Sequence, residues 1–206
     1  MESSAAAPAP RIIRHPVAMI EAFLPDPVWR SLLQRVLASE VQFQPSGTHD
    51  HRADYRQSLV LNPPPDLVQP VVDGVRDVMP QILPALRVAP ITVGNVEAQV
   101  TASVDGSFFG VHTDADRDKV PKRYLTYVYY FNRQPKGFSG GELRVYDDVL
   151  RNNKLARAET FNVVEPRHNR IVFFWARTMH EVVRVHVPSR LFGDARFTVN
   201  GWVNSA

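Results

Sequence analysis

The chain predicts a mainly β protein, an antiparallel sandwich or barrel with helices packed outside it. Three observations lead there. Six short runs after residue 90 are rich in Val, Ile, Thr, Tyr and Phe and bounded by Gly, Pro, Asn and Asp. Apolar residues at helical spacing occur only in the first half. No regular alternation of strand and helix exists, which argues against a parallel doubly wound sheet.

Taken in order, residues 1–10 (MESSAAAPAP) read as a disordered leader, since they lack the basic and apolar regions of a secretory signal. Residues 11–206 read as one domain, with helical support over about 16–88 and a barrel core over about 90–204. The segment after Pro16 carries a break at Pro25-Asp26-Pro27. Beyond it Val28, Leu32, Leu33, Val36 and Leu37 recur as one helical face, with Asp26 as the expected N-cap and Pro27 at the first helical position. A second amphipathic stretch, Asp66 to Leu86, is expected to be kinked or segmented by Pro70, Pro80 and Pro84. Between the helices, residues 47–58 form a polar, turn-rich connection that reads as a surface loop or a lid. The strand candidates follow: 91–103, 123–132, 141–147, 169–175, 181–187 and 196–204.

Composition narrows the function. With 44% hydrophobic and 22% charged residues the chain matches ordinary globular proteins, and it has no apolar run that would cross a bilayer as a helix. Cysteine is absent, which excludes disulfides, thiolate metal sites and cysteine nucleophiles and fits a cytoplasmic setting. The net charge of +3 is spread along the chain apart from RDKVPKR at 117–123, which reads as a solvated loop, so neither nucleic acid nor membrane is an expected partner.

The chemistry gathers around GVHTDAD at 110–116. His112 and Asp114 are two possible metal ligands two residues apart, and on an extended chain they share a face. Chance could supply such a pair. A third ligand, His180, follows the apolar run Ile171 to Trp175 and opens another strand. Two imidazoles and one carboxylate make the facial triad of non-haem Fe(II) oxygenases, which leaves coordination positions open. Downstream, Arg196 shares one face of an extended RFTVNGW with Thr198, Asn200 and Trp202. An inward arginine needs a carboxylate partner, and Arg190 is the rival for that role.

Together GVHTDAD, RYLTYVYYFN, SGGELRVY, NRIVFFW, MHEVV and RFTVNGW resemble the iron(II)- and 2-oxoglutarate-dependent dioxygenases of the prolyl-4-hydroxylase-like group, over roughly residues 95–203. The resemblance implies a double-stranded β-helix (jelly-roll or cupin-like) barrel supported by N-terminal helices. It implies Fe(II) on His112, Asp114 and His180, and 2-oxoglutarate held at its distal carboxylate by Arg196 and Tyr130. O₂ is then the co-substrate, with ascorbate as an accompanying reductant. By strand alternation Thr126 and Val128 would share the pocket face of Tyr130. Gly140 and Gly141 read as a tight turn.

The implied reaction is hydroxylation of an unactivated C–H bond with release of succinate and CO₂, on a prolyl residue of a protein or peptide. A free amino acid or small metabolite is the alternative; a 2-oxoglutarate-independent dioxygenase and a non-catalytic binding barrel are weaker ones. Oligomeric state stays open. Two departures from the family pattern stand out: a longer spacing of fifteen residues between His180 and Arg196, and Ser103 where relatives often carry a tyrosine. The extra residues are expected to form a hairpin loop at the barrel mouth. Phe108, Phe109, Phe173, Phe174 and Trp175 read as barrel core, with Tyr124, Tyr127 and Tyr129 in the core or at its edge.

Overall fold

A computed structural model describes residues 11–46, 55–115 and 123–206. The expected leader, residues 47–54 of the expected lid and residues 116–122 lie outside the described residues. In chain order the elements are β1 (Arg11–Ile13), β2 (Ala18–Ile20), α1 (Asp26–Ala38), β3 (Gln44–Pro45), β4 (Arg56–Gln57), β5 (Leu59–Leu61), α2 (Pro65–Ala85), β6 (Val93–Ser103) and β7 (Phe108–His112). They continue with β8 (Arg123–Phe131), β9 (Ser139–Gly140), β10 (Leu143–Arg151), β11 (Lys154–Val164), β12 (Arg170–Trp175), β13 (His180–Val182), β14 (Val185–His186) and β15 (Arg196–Ser205). Every ladder among them is antiparallel, and the arrangement is consistent with a jelly roll.

Seven strands form one sheet in the order β2-β12-β8-β15-β6-β5-β3. A second sheet runs β1-β10-β13-β7-β4, with β11 also on β10, and β14 pairs with β9 separately. The seven-stranded sheet is covered on both faces, so its interior strand β8 (RYLTYVYYF) reads as an almost unbroken apolar run. Leu125, Tyr127, Tyr129 and Phe131 face the helices, in one cluster with Trp29, Val36, Val71 and Val75. Val128 and Tyr130 face the other sheet, clustering with Leu143, Val145, Val172 and Phe174. Tyr127 and Tyr129 thus belong to the helix-side core, as does Phe173, whereas Phe174 fills the space between the sheets.

The helical half departs from expectation in three places. Residues 18–20 do not belong to a helix; they add an edge strand to β12, where a short extended pairing buries Ala18. In α1, Pro25 is the N-cap and Asp26 is already helical. The Asp26 carboxylate accepts from the Trp29 indole at 3.0 Å and from Arg30 at 3.3 Å instead of capping backbone. Helix α2 is continuous through Pro70, Pro80 and Pro84. Each proline removes one backbone hydrogen bond, but Leu67, Val68, Val71, Val75, Met79, Ile82 and Leu83 all bury one stripe against the sheet, and that packing outweighs the loss. Arg56 and Gln57, expected in the loop, pair with β7.

Strand β11 escaped the sequence reading because most of its residues are exposed and their apolar alternation is weak. A signal existed at the preceding turn, where Asn152 and Asn153 take φ of 48° and 56°, the left-handed pair a tight hairpin needs.

At Gly201, a Cβ would lie 1.9 Å from the Glu97 carbonyl oxygen and 2.6 Å from the Tyr127 hydroxyl. Gly201→Ala therefore wedges β15 from β6 and is expected to destabilise the protein by about 3 kcal/mol, near the upper end of overpacking costs. Thermal unfolding should show Tm lowered by roughly 6–12 °C.

Candidate metal centre and carboxylate pocket

Strand pairing brings the three metal-ligand candidates together. β13 pairs with β7 so that His180 lies opposite His112. Asp114 sits just past the end of β7, not on the strand with His112: its N–H and that of Ala115 both donate to the Ala176 carbonyl, at 2.8 and 3.0 Å, which turns the carboxylate back toward the rings. The donor atoms of His112, Asp114 and His180 all lie within 4.8 Å of one another. His112 Nε2 is 3.6 Å from Asp114 Oδ1, and His180 Nε2 is 3.3 Å from Asp114 Oδ2.

The tautomers follow from the backbone. His112 Nδ1 donates to the Gly110 carbonyl at 2.8 Å and His180 Nδ1 to the Thr178 carbonyl at 2.9 Å. A carbonyl only accepts, so Nδ1 carries the proton and, in a neutral ring, Nε2 presents its lone pair. Burial first, and then the neighbouring His180 charge, push His112 down to about 3. Burial alone would raise the Asp114 carboxyl. The His180 charge and hydrogen bond, with help from His112 and the Thr126 hydroxyl at 2.8 Å, hold it well below the usual carboxylate range. The pocket therefore offers a neutral imidazole at His112 and an ionised carboxylate, the state a hard-to-borderline divalent cation needs.

Further along the inner face lies Arg196, only 3% exposed. Its guanidinium sits 5.0 Å from the centre of the Tyr130 ring, and among the described residues it forms no ion pair. Arg196 Nε and the Tyr130 hydroxyl are both buried without a well-formed hydrogen bond. Burial lowers the Arg196 pKa and raises that of Tyr130. Two neighbouring buried polar groups that face chiefly each other, with the Glu142 charge near Arg196, match the end of a dicarboxylate. Thr126 and Val128 share this inner face with Tyr130, as expected, and Trp202 lies opposite Thr126 on β15.

Gly141 contributes to this pocket in a way its reading as a turn residue missed. Its φ is +72°, and a Cβ there would lie 2.6 Å from Arg196 Cδ and 2.9 Å from Val185. Ser103 is buried opposite Arg196 on β6. The rival Arg190 is exposed and lies 3.8 Å from Asp105, so the pocket is not where it points. The residues after His180 form β14 on β9 and a single 3-10 turn at Phe192–Asp194 instead of a free hairpin loop.

Two expectations need correcting. Phe108 and Phe109 are not core: both are half-buried, Phe109 stacking on His112 at 3.5 Å and 18° and Phe108 lying beneath Arg184. Arg123, expected in a solvated loop, binds Glu97 through two contacts of 2.7 and 3.3 Å and lies 3.4 Å over the Trp202 ring.

Comparison with known proteins places the chain in a family. Residues 98–204, just over half the chain, match the family model of the 2OG-Fe(II) oxygenase superfamily, and the chain belongs to that superfamily. It is 38% identical over 186 residues to a PKHD-type hydroxylase of Synechocystis sp. that is itself uncharacterized; the match covers 89% of this chain but 61% of that relative's length. A Pseudomonas putida prolyl-4-hydroxylase shares the fold, with TM-score 0.67 and 21% identity, covering 93% of this chain and 94% of that one. So does a prolyl hydroxylase from Trichoplax adhaerens in complex with a hypoxia inducible factor peptide fragment, with TM-score 0.66 and 18% identity over 93% and 84%.

The depressed His112 pKa gives a testable pH dependence. A group whose folded pKa lies below its unfolded value contributes stability that is complete above about pH 6.5 and lost as pH falls toward 3. In metal-free protein, the His112 ring protons should not titrate between pH 5 and 8 by NMR, and His112→Gln should flatten the acid loss of stability.

Proposed function

We propose that this chain is an Fe(II)- and 2-oxoglutarate-dependent hydroxylase in which His112, Asp114 and His180 hold the metal and Arg196 with Tyr130 binds the distal carboxylate of 2-oxoglutarate. The double-stranded β-helix barrel belongs to the same proposal. The observation that carries it is the pairing, inside one sheet sandwich, of the His-Asp-His cluster with a buried arginine that forms no ion pair among the described residues.

When bound, iron and 2-oxoglutarate supply the oxidation of a C–H bond by O₂, with release of succinate and CO₂ and with ascorbate as an auxiliary reductant. The chain's residues do the rest. The Gly110 and Thr178 carbonyls fix both imidazoles with Nε2 toward the metal. The Thr126 hydroxyl holds one Asp114 oxygen and restrains that carboxylate's rotation. The Arg196 guanidinium would hold a carboxylate, and the Tyr130 hydroxyl would donate to it as well. Val128, Val172 and Phe174 keep the space between the two ends dry. A prolyl residue of a protein or peptide is the substrate we favour, supported by the prolyl hydroxylases whose fold the chain shares.

Calorimetry with Mn(II), then 2-oxoglutarate, under anaerobic conditions tests the assignment. His180→Ala and Asp114→Ala should abolish metal binding. Arg196→Gln should leave metal binding intact and weaken 2-oxoglutarate by about 100-fold, the scale for removing one member of a buried charge pair. Arg190→Ala should change neither. Metal binding that survives the loss of all three ligands would refute the site, and substrate oxidation without stoichiometric succinate would refute the reaction.

A further inference from the structure

We propose that Arg56 and Phe109 form a second carboxylate-binding site, at the rim of the metal centre, and that it holds an acidic group of the substrate close to the bond being oxidised. That the acidic group belongs to a substrate rests on the function proposed above; the anion site itself does not.

The register of the six-stranded sheet places the two residues. Phe109 pairs with Val182 on one side and with Arg56 on the other, while His112 pairs with His180. Val182 packs into the cluster between the sheets, so Phe109 and Arg56 share that inner face at its edge. The Phe109 ring stacks on His112 at 3.5 Å, and the Arg56 guanidinium lies 4.6 Å over Phe109, giving a column of cation, aromatic ring and imidazole. Tyr55 closes the side of the ring edge-on at 5.6 Å and donates its hydroxyl to the Val111 carbonyl, which fixes the shelf.

Among the described residues Arg56 forms no ion pair of its own: its Nε donates to the Ser58 hydroxyl at 3.3 Å, and no carboxylate pairs with it. Three other arginines of these sheets have such partners: Arg123 has Glu97, Arg144 has Glu181 and Arg170 has Glu21. Burial penalises the Arg56 charge, and the more distant Asp114 carboxylate is what offsets it. A divalent cation on Asp114 would use up that offset. The guanidinium then favours an incoming anion, and its two Nη groups present a fork that fits a carboxylate. Two sources share this chemistry, a free amino acid and an acidic side chain or C-terminus of a peptide.

The test follows the Arg56 Nε–Hε resonance by NMR, assigned through its loss in Arg56→Gln, while acetate or acetamide is added to the protein without metal and again with Zn(II) and 2-oxoglutarate. Acetate should shift it saturably at millimolar concentration, and acetamide should not. Arg56→Lys keeps the charge but not the fork, and should cut acetate affinity, read on the neighbouring Gly110 amide, about ten-fold. Equal responses to acetate and acetamide, or a shift that never saturates, would overturn the site. Saturation at Arg56 in a protein that calorimetry finds unable to bind Zn(II) and 2-oxoglutarate would sink the hydroxylase reading and leave this one standing. Displacement of acetate by L-proline but not L-prolinamide assigns the acid to a small molecule. Displacement by a doubly blocked Pro-Asp peptide but not its Pro-Asn counterpart assigns it to a peptide.

Discussion

Everything in this molecule hangs on burying both faces of strand β8. Its odd-numbered residues, Leu125 to Phe131, press on the helices, and its even-numbered ones face the second sheet. Three tyrosines in a row of seven residues then lose water at once, and each hydroxyl needs a new partner. Tyr127 donates to the Glu97 carbonyl at 2.8 Å and Tyr129 to the Asn169 side chain at 2.9 Å. Tyr130 has none. The buried arginines divide the same way: Arg170 meets Glu21 and the Glu165 carbonyl, and Arg196 meets no carboxylate among the described residues. The two exceptions are neighbours. Where a fold satisfies similar groups nearby and leaves two adjacent ones with little but each other, the pair marks a place for a ligand.

The metal centre depends on the same sheet through one turn. Residues 176–179 connect β12 to β13, and two carbonyls of this turn act on the centre: that of Ala176 draws in Asp114, and that of Thr178 orients His180. Just before the turn, the Trp175 indole donates to the Leu86 carbonyl at the end of α2, at 3.3 Å. The helices therefore brace the turn that sets two of the three ligands.

Much of this was legible in residues alone. Long strands with β-branched and aromatic content announced themselves, and alternation from Tyr130 or Arg196 assigned the inner face. His112, Asp114 and His180 could be proposed because a ligand set is defined by residue type and order. What escaped reading was short, exposed or dependent on pairing. Strands of two or three residues, such as β2 and β4, have no period to detect, and their existence comes from the neighbour that accepts their backbone. Phe109 looked like core because its type is apolar. Only the irregular register of β7 against β13 reveals that it shares a face with His112. Gly141 likewise looked like a turn, and its second role, making room for Arg196 Cδ, is a fact about a residue fifty-five positions away.

The long spacing between His180 and Arg196 left two arginines competing for one carboxylate, and burial decides between them. Arg190 has a side chain 83% exposed and pairs loosely with Asp105; an ion pair there is worth at most about 1 kcal/mol in water. Arg196 is desolvated already, so a carboxylate reaching it meets a charge whose dehydration was completed by folding. The residues between His180 and the two arginine candidates share in that state. Gly141, beside β9, lies between Arg196 and Val185 of β14, and the β9–β14 ladder holds these segments together. The segment that obscured the arginine's identity in the sequence is thus part of what dries its pocket in the fold.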